Sequence, residues 1–308
     1  MEFEAVKTAI LRTLAFHEAW DYAPTLPELV LTVDFGGSAE QGREQVIQAV
    51  HDLIERRVIS LKNGRLAYLD SINRIISQIQ DREIYQPRKR RRARRVVRWL
   101  VRLGGVRFVA LANTTALGEA RDEADLDFFI IVKAGSIWTT RFFSSGVLKL
   151  MGLRPRPGHE KDSVCLSYFI SDGQLDISLH ALPGDDPYFR YWFLSLLPLY
   201  DDGVSKEFWE ANYRLRTCHS FAKKWEVPPD FAVRSPRIRI PTLAALEKAF
   251  RVFQLKCFPR VIKDKMNKDT TVMVTDSVLK FHVIDNREEY RRKYQEICRQ
   301  RGIENKIF

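Results

Sequence analysis

Two apolar runs separated by a short polar loop constrain this chain more than any other part of it. Val106-Arg107-Phe108-Val109-Ala110-Leu111, which follows Gly105, reads as a strand. It runs into the loop Ala112-Asn113-Thr114-Thr115-Ala116-Leu117-Gly118. After Glu119-Ala120-Arg121-Asp122-Glu123-Ala124 comes Asp125-Leu126-Asp127-Phe128-Phe129-Ile130-Ile131-Val132, a second apolar strand that opens with two carboxylates. Residues i and i+2 of a strand point to the same face with Cα atoms about 6.5 Å apart, so Asp125 and Asp127 can converge on one metal ion or a metal pair. Magnesium takes hard oxygen ligands and keeps waters and substrate phosphates in its shell, which a half-open carboxylate pair supplies. The plainer alternative is a surface strand end beside a helix cap.

Ahead of these strands the periodicity changes. Val6, Ile10, Leu11 and Leu14, with His17 or Glu18, recur at helical spacing until Tyr22-Ala23-Pro24 breaks the pattern. Pro24 and Pro27 bracket a restart. Leu26 to Val33 suits a second helix and Glu44 to Arg57 a third, with Val46, Ile47, Val50, Leu53 and Ile54 as its apolar stripe. Val58-Ile59-Ser60-Leu61, Lys62-Asn63-Gly64 and Arg65-Leu66-Ala67-Tyr68-Leu69 then read as a β-hairpin, because Asn-Gly supplies the positive φ of a tight turn. Three helices and a hairpin over residues 1–70 resemble a winged helix.

Residues 71–103 suit a long basic helix or helix pair linking that unit to the strands, with Val96, Val97, Trp99, Leu100 and Leu103 toward the core. Within it lies Pro87-Arg88-Lys89-Arg90-Arg91-Arg92-Ala93-Arg94-Arg95, the densest charge in the chain. One reading is a solvated helix face. The other is phosphate contact by Arg88, Lys89, Arg90, Arg91, Arg92, Arg94 and Arg95, to RNA, DNA or a nucleotide. Beyond Leu182 the pattern turns helical, at Tyr188 to Leu199, Lys206 to Lys224, Leu243 to Arg260 and Arg287 to Arg301, with Pro228-Pro229 and Pro236 to Pro241 as linkers. The aromatic residues Tyr188, Phe189, Tyr191, Trp192 and Phe193 read as core or interface rather than as a base-stacking surface.

Charge narrows the partners. The chain has 50 Lys and Arg against 39 Asp and Glu, a net +11, which favours nucleotides, nucleic acid or an anionic surface without choosing among them. Cys165, Cys218, Cys257 and Cys298 are scattered, with no Cys-x-x-Cys pair and no histidine at ligand spacing, so neither a zinc site nor a disulfide framework is expected. That usage fits a reducing cytoplasm. The start Met1-Glu2-Phe3-Glu4 lacks a basic segment followed by an apolar run, and no 18 consecutive apolar residues occur, so neither secretion nor a membrane span is expected.

Asn113-Thr114-Thr115-Ala116-Leu117-Gly118-Glu119-Ala120 and Ala124-Asp125-Leu126-Asp127-Phe128 together have the spacing of a strand, a Gly-Ser turn, a short helix and an Asp-x-Asp strand. Over residues 104–182 the chain therefore resembles the DNA polymerase β-like nucleotidyltransferase superfamily. The resemblance implies an α/β (α+β) fold with a nucleotidyltransferase-type mixed sheet, here carrying the winged-helix-like unit before it and a helical region, residues 183–308, after it. It also implies a nucleoside triphosphate held through Mg2+ (or Mn2+) on Asp125 and Asp127, with Asn113, Thr114, Thr115 and Gly118 at the nucleotide. Asn113-Thr114 stands where the family has Gly-Ser. Asn tolerates positive φ, and Thr114 offers a hydroxyl and a backbone N–H.

The family's third carboxylate falls most naturally on Asp176, in an expected hairpin strand Gln174-Leu175-Asp176-Ile177-Ser178-Leu179 after a Ser171-Asp172-Gly173 turn. Asp172 reads as a turn residue, and Ser167 as the position a lost acid would leave. Trp138-Thr139-Thr140-Arg141 resembles a Trp-x-x-Arg of some members, which would bring Arg141 to a phosphate; a surface arginine beside a core tryptophan is the alternative. Arg154, Arg156, His159 and Lys161 suit contacts to nucleotide or acceptor, whereas His180, His219 and His282 read as packing or surface residues. The activity so implied is metal-dependent transfer of a nucleoside monophosphate to RNA, protein or a small molecule. The alternative is a nucleic-acid-binding protein, DNA or RNA, with an inactive core.

Overall fold

The structure, a computed structural model, describes residues 2–34, 39–155, 158, 160–242 and 244–304. It is a mixed α/β protein with helices on both faces of one large sheet. The first unit contains α1 (Glu2–Ala19), α2 (Leu26–Thr32), α3 (Ala39–Glu55) and the antiparallel pair β1 (Ile59–Lys62) and β2 (Arg65–Tyr68). Thr25 starts α2 because its hydroxyl accepts from the Glu28 N–H while the Glu28 carboxylate accepts from the Thr25 N–H at 2.7 Å, a reciprocal cap. Asn63 and Gly64 turn the hairpin at φ of 51° and 74°. Val6, Ile10, Leu14, Val46, Val50 and Leu53 are buried, as their spacing requires.

The linking segment is a pair, α4 (Ile72–Glu83) and α5 (Gln86–Leu100), with Pro87 in the first turn of α5. Lys89, Ala93, Val96, Val97 and Leu100 form the inner face of α5. Trp99 departs from expectation: it is 45% exposed, with the Arg102 guanidinium 4.2 Å from its ring. On a helix, 97 and 100 share a face that 99 leaves, and an arginine three residues on covers the stranded ring.

The sheet begins with β3 (Val106–Leu111), short helix α6 (Asn113–Ala116), β4 (Leu126–Val132), α7 (Ile137–Leu150) and β5 (Val164–Ser171). It continues through α8 (Pro187–Leu194), β6 (Leu197–Asp201), α9 (Ser205–Ala211), α10 (Ala244–Cys257), α11 (Arg260–Lys265), β7 (Val272–Val274), β8 (Val278–Phe281) and α12 (Arg287–Gln300). The order is β6-β3-β4-β5-β8-β7; β4 and β5 are parallel and every other pairing is antiparallel. Two expectations are corrected here. The region after Leu182 is not only helical, since it supplies β6, β7 and β8. The expected hairpin strand at 174–179 is an extended loop ending in a single 3-10 turn, Ser178–His180, and the place beside β5 belongs to β8.

Each face of the sheet carries its own core. Val109, Leu111, Phe128, Ile130, Phe169 and Leu279 pack toward α5, α7 and α10, while Phe108, Phe129, Ile131, Tyr168, Ile170 and Val278 pack toward α8 and α9. The core of the first unit includes Tyr191 of α8 and Tyr294 and Cys298 of α12, so that unit packs on the later part of the chain rather than standing apart. Among the described residues no helix is long and apolar enough to cross a membrane.

Candidate functional site

Parallel pairing puts the start of β4 beside the start of β5, with Asp127 directly opposite Cys165. Leu126 between the two aspartates is buried, so the alternation that hides it sends Asp125 and Asp127 to the other side. One ligand atom each from Asp125, Asp127 and Cys165 lies within 4.8 Å of the others. Asn113, at φ 57°, donates its amide to Asp127 Oδ2 at 2.7 Å and accepts from the Tyr188 hydroxyl at 3.1 Å. Thr115 is buried and donates to the Asp125 carbonyl at 3.3 Å, while Gly118 leaves the helix at φ 75°. This loop thus buttresses the Asp127 carboxylate through Asn113 and the Asp125 backbone through Thr115.

Burial dominates the electrostatics. It raises the Asp125 carboxyl to about 6, with the neighbouring Asp127 charge adding to the effect. Burial also raises Asp127, against the Asn113 hydrogen bond, and lifts the Cys165 thiol to about 12 with Asp127 contributing. Two carboxylates that resist ionisation beside a thiol form an arrangement that a bound cation would relieve. The carboxylates suit a hard cation such as Mg2+, but a thiol does not.

These groups floor a cavity of about 740 Å³. Trp20 and Tyr22 from the first unit and Arg82 of α4 line one side, Tyr188, Phe189 and Trp192 of α8 another, and Lys280, His282, Asp285, Arg287 and Tyr290 the far wall. Arg287 is committed to Asp285 at 2.6 Å, Asp186 at 3.2 Å and the His180 carbonyl at 2.8 Å. Lys280 is 1% exposed and, among the described residues, its ammonium has no hydrogen-bond partner; it lies 5.5 Å from the ring centres of both Tyr168 and Phe189. Burial, then repulsion from Arg287, brings Lys280 down to about 7, and burial holds His282 neutral at about 3.

No family model, curated protein or solved structure matches the chain. Function must therefore be read from this cavity.

The cavity takes in some expected residues and excludes others. Asp125, Asp127, Asn113 and Thr114 line it, whereas Thr115 and Gly118 are not among the lining residues. Asp176 does not: its carboxylate accepts from the Ser178 N–H at 2.8 Å, capping the 3-10 turn, so it is corrected from catalytic acid to turn residue. Ser167 stands in the lining instead, two residues after Cys165. Arg141 is also corrected. Its guanidinium donates to Gln254 at 2.6 Å and covers the rings of Phe258 and Phe281 beneath α10, outside the cavity.

The basic run divides. Lys89 is fully buried, pairs with Asp162 at 3.0 Å and donates to the Asp122 and Ala124 carbonyls, so it holds the loop leading into Asp125 rather than an external phosphate. Arg88 pairs with Asp162 at 2.7 Å, and Arg90 lies over the Phe231 ring; Arg92 and Arg94 are half-buried. Arg91 and Arg95 are exposed. Arg154 donates to the Val164 carbonyl at 3.2 Å and Lys161 to Asp122 at 2.6 Å, while Arg156 and His159 lie outside the described residues. Cys165, Lys280, Arg287 and the aromatic walls carried no motif. A single lysine in the apolar run Val278-Leu279-Lys280-Phe281 was the signal available for one of them.

Proposed function

We propose that the chain is a metal-dependent nucleotidyltransferase that moves a nucleoside monophosphate from a nucleoside triphosphate to an acceptor bound in the same cavity. The observation that carries this reading is the convergence of Asp125 and Asp127, both resisting ionisation, on the floor of a cavity of about 740 Å³. Pockets for small-molecule ligands run to roughly 300–1,000 Å³, so a nucleotide has room.

Asp125 and Asp127 would hold the cation, which when bound neutralises charge on the phosphates and on the departing pyrophosphate. Asn113 fixes the Asp127 carboxylate through its 2.7 Å hydrogen bond. Thr114 is exposed at the cavity edge, where its hydroxyl would meet the phosphates. Tyr188 and Trp192 wall this side of the cavity and exclude water from it. The test incubates the protein with α-labelled nucleoside triphosphates, Mg2+ or Mn2+, and RNA, protein and small-molecule fractions, comparing wild type with an Asp125→Asn/Asp127→Asn double variant. Transfer by wild type alone supports the reading. Absence of both transfer and metal-dependent nucleotide binding sinks it.

One observation favours a polyanion contact as well. Arg91, Arg95, Arg98 and Arg102 follow one face of α5 and its extension and are exposed, and among the described residues none of the four has an ion pair. The helix that would enter a DNA groove in a winged helix, α3, carries Glu44, Asp52 and Glu55 against Arg43, so the arginine stripe supports this second reading better than the first unit does. A steep salt dependence of RNA binding that persists in the Asp125→Asn/Asp127→Asn variant would support it.

A further inference from the structure

We propose that Cys165 is the third protein ligand of the cation held by Asp125 and Asp127, and that the site selects a thiophilic divalent ion, cobalt or zinc in type, over magnesium. This rests on reading the aspartate pair as a cation site and extends that reading to the kind of ion.

Asp127 and Cys165 are register partners on adjacent parallel strands, which stand about 4.8 Å apart. The ligand atoms of Asp125, Asp127 and Cys165 already lie within 4.8 Å of one another. Metal–oxygen bonds of about 2.1 Å and metal–sulfur bonds of about 2.3 Å place ligand atoms around one ion about 3.5 Å apart, so small side-chain rotations complete the set. A buried cysteine often serves only as a small apolar filler. Cys165 differs, because it faces the cavity between a carboxylate on β4 and the hydroxyl-bearing Ser167 on its own strand. An independent observation points to a ligand in this cavity: the Lys280 ammonium, 1% exposed and in the cavity wall, has no hydrogen-bond partner among the described residues.

Donor chemistry then chooses the ion. Magnesium binds oxygen and keeps its waters, whereas a thiolate selects softer cations. On binding, the Cys165 S–H bond breaks, its electron pair forms the sulfur–metal bond, and the proton leaves to solvent with no change of oxidation state.

The test titrates the full chain with Co2+ and follows the near-ultraviolet thiolate-to-cobalt charge-transfer absorption, in wild type and in Cys165→Ser, Cys165→Asp and Asp125→Asn/Asp127→Asn variants. Wild type is expected to show the band and both Cys165 variants to lack it. Preference for Co2+ over Mg2+ is expected to fall at least about tenfold in Cys165→Asp, whose added carboxylate restores an all-oxygen set. The near-ultraviolet circular dichroism of each variant confirms that it is folded. Cobalt binding that needs the aspartates but gives no sulfur band, or a band that survives in Cys165→Ser, overturns the assignment while leaving the nucleotidyltransferase reading in place. A Cys165-dependent band without any nucleotide binding sustains the ligand and removes the transferase. No divalent binding at all overturns both.

Discussion

Replacing Lys280 by Met should make the protein more stable at neutral pH, and the size of the gain follows from the buried amine. Its burial brings the group from 10.5 to about 7. Each pH unit of such a shift corresponds to about 1.4 kcal/mol. Between about pH 7 and pH 10.5 the unfolded chain holds this proton and the folded chain does not. More protons on the unfolded state mean that stability rises with pH across that window, and that below it the full cost of the buried charge remains. At pH 7 the cost is on the order of 4 kcal/mol. Methionine has similar length, no charge, and fits the same slot between Tyr168 and Phe189. Urea unfolding of wild type and Lys280→Met at several pH values from about 6 to about 10 gives the difference directly, since groups common to both proteins cancel. The gap should be largest at and below pH 7 and close toward the alkaline end. Parallel stability curves, or a variant less stable than wild type at pH 7, would refute the claim that this ammonium is buried without a hydrogen-bond partner among the described residues.

Three further outcomes follow from the same geometry. Asp125→Asn should raise Tm at neutral pH by about 3–5 °C, on the order of 3 kcal/mol for a carboxyl raised from 3.8 to about 6, because the amide cannot carry the charge that burial and Asp127 oppose; scanning calorimetry at pH 7 and pH 4 checks that the gain shrinks in acid. Lys89→Met should cost about 3 kcal/mol by leaving Asp162 with only Arg88 and stripping the Asp122 and Ala124 carbonyls of a donor, and should weaken Mn2+ binding through the loop into Asp125; denaturant melts and calorimetric titration measure the two effects. Changing Arg91, Arg95 and Arg98 together to Gln should lower the salt dependence of single-stranded RNA binding by a log–log slope of about 2, with Tm unchanged, as read by fluorescence anisotropy across a salt series.

What the chain revealed without its fold was local. Asn63-Gly64 announced its hairpin because positive φ at both positions is a property of those residues, and β3 and β4 announced themselves by apolar runs that the structure buries. Asp125 and Asp127 were legible because alternation fixes their common face. The failures concern which distant segment lies beside which. After Ser171 a hairpin was the nearest partner for β5, and Asp176 became a carboxylate in search of a site. The chain instead brings β8 back to that edge, with Tyr168 opposite Lys280. Arg141 looked free until α10 closed over it with Gln254. Lys89 sat in a run of solvated charge, but the inward face of α5 took it into the interior, where Asp162 meets it. Cys165 had no signature because its neighbours in the site come from another strand.

The return of β8 to β5 also imposes a timetable. The far wall of the cavity belongs to β8 and the start of α12, and Lys280 reaches its place only after β8 has paired beside β5. Long-range pairings of this kind form late, once the entropy of closing the intervening loop has been offset. A nascent chain on the ribosome will therefore display the aspartates and the arginine-rich helix well before it owns an enclosed chamber. During synthesis these charged groups stand unwalled, and the far side of the cavity forms only when β8 and the start of α12 dock.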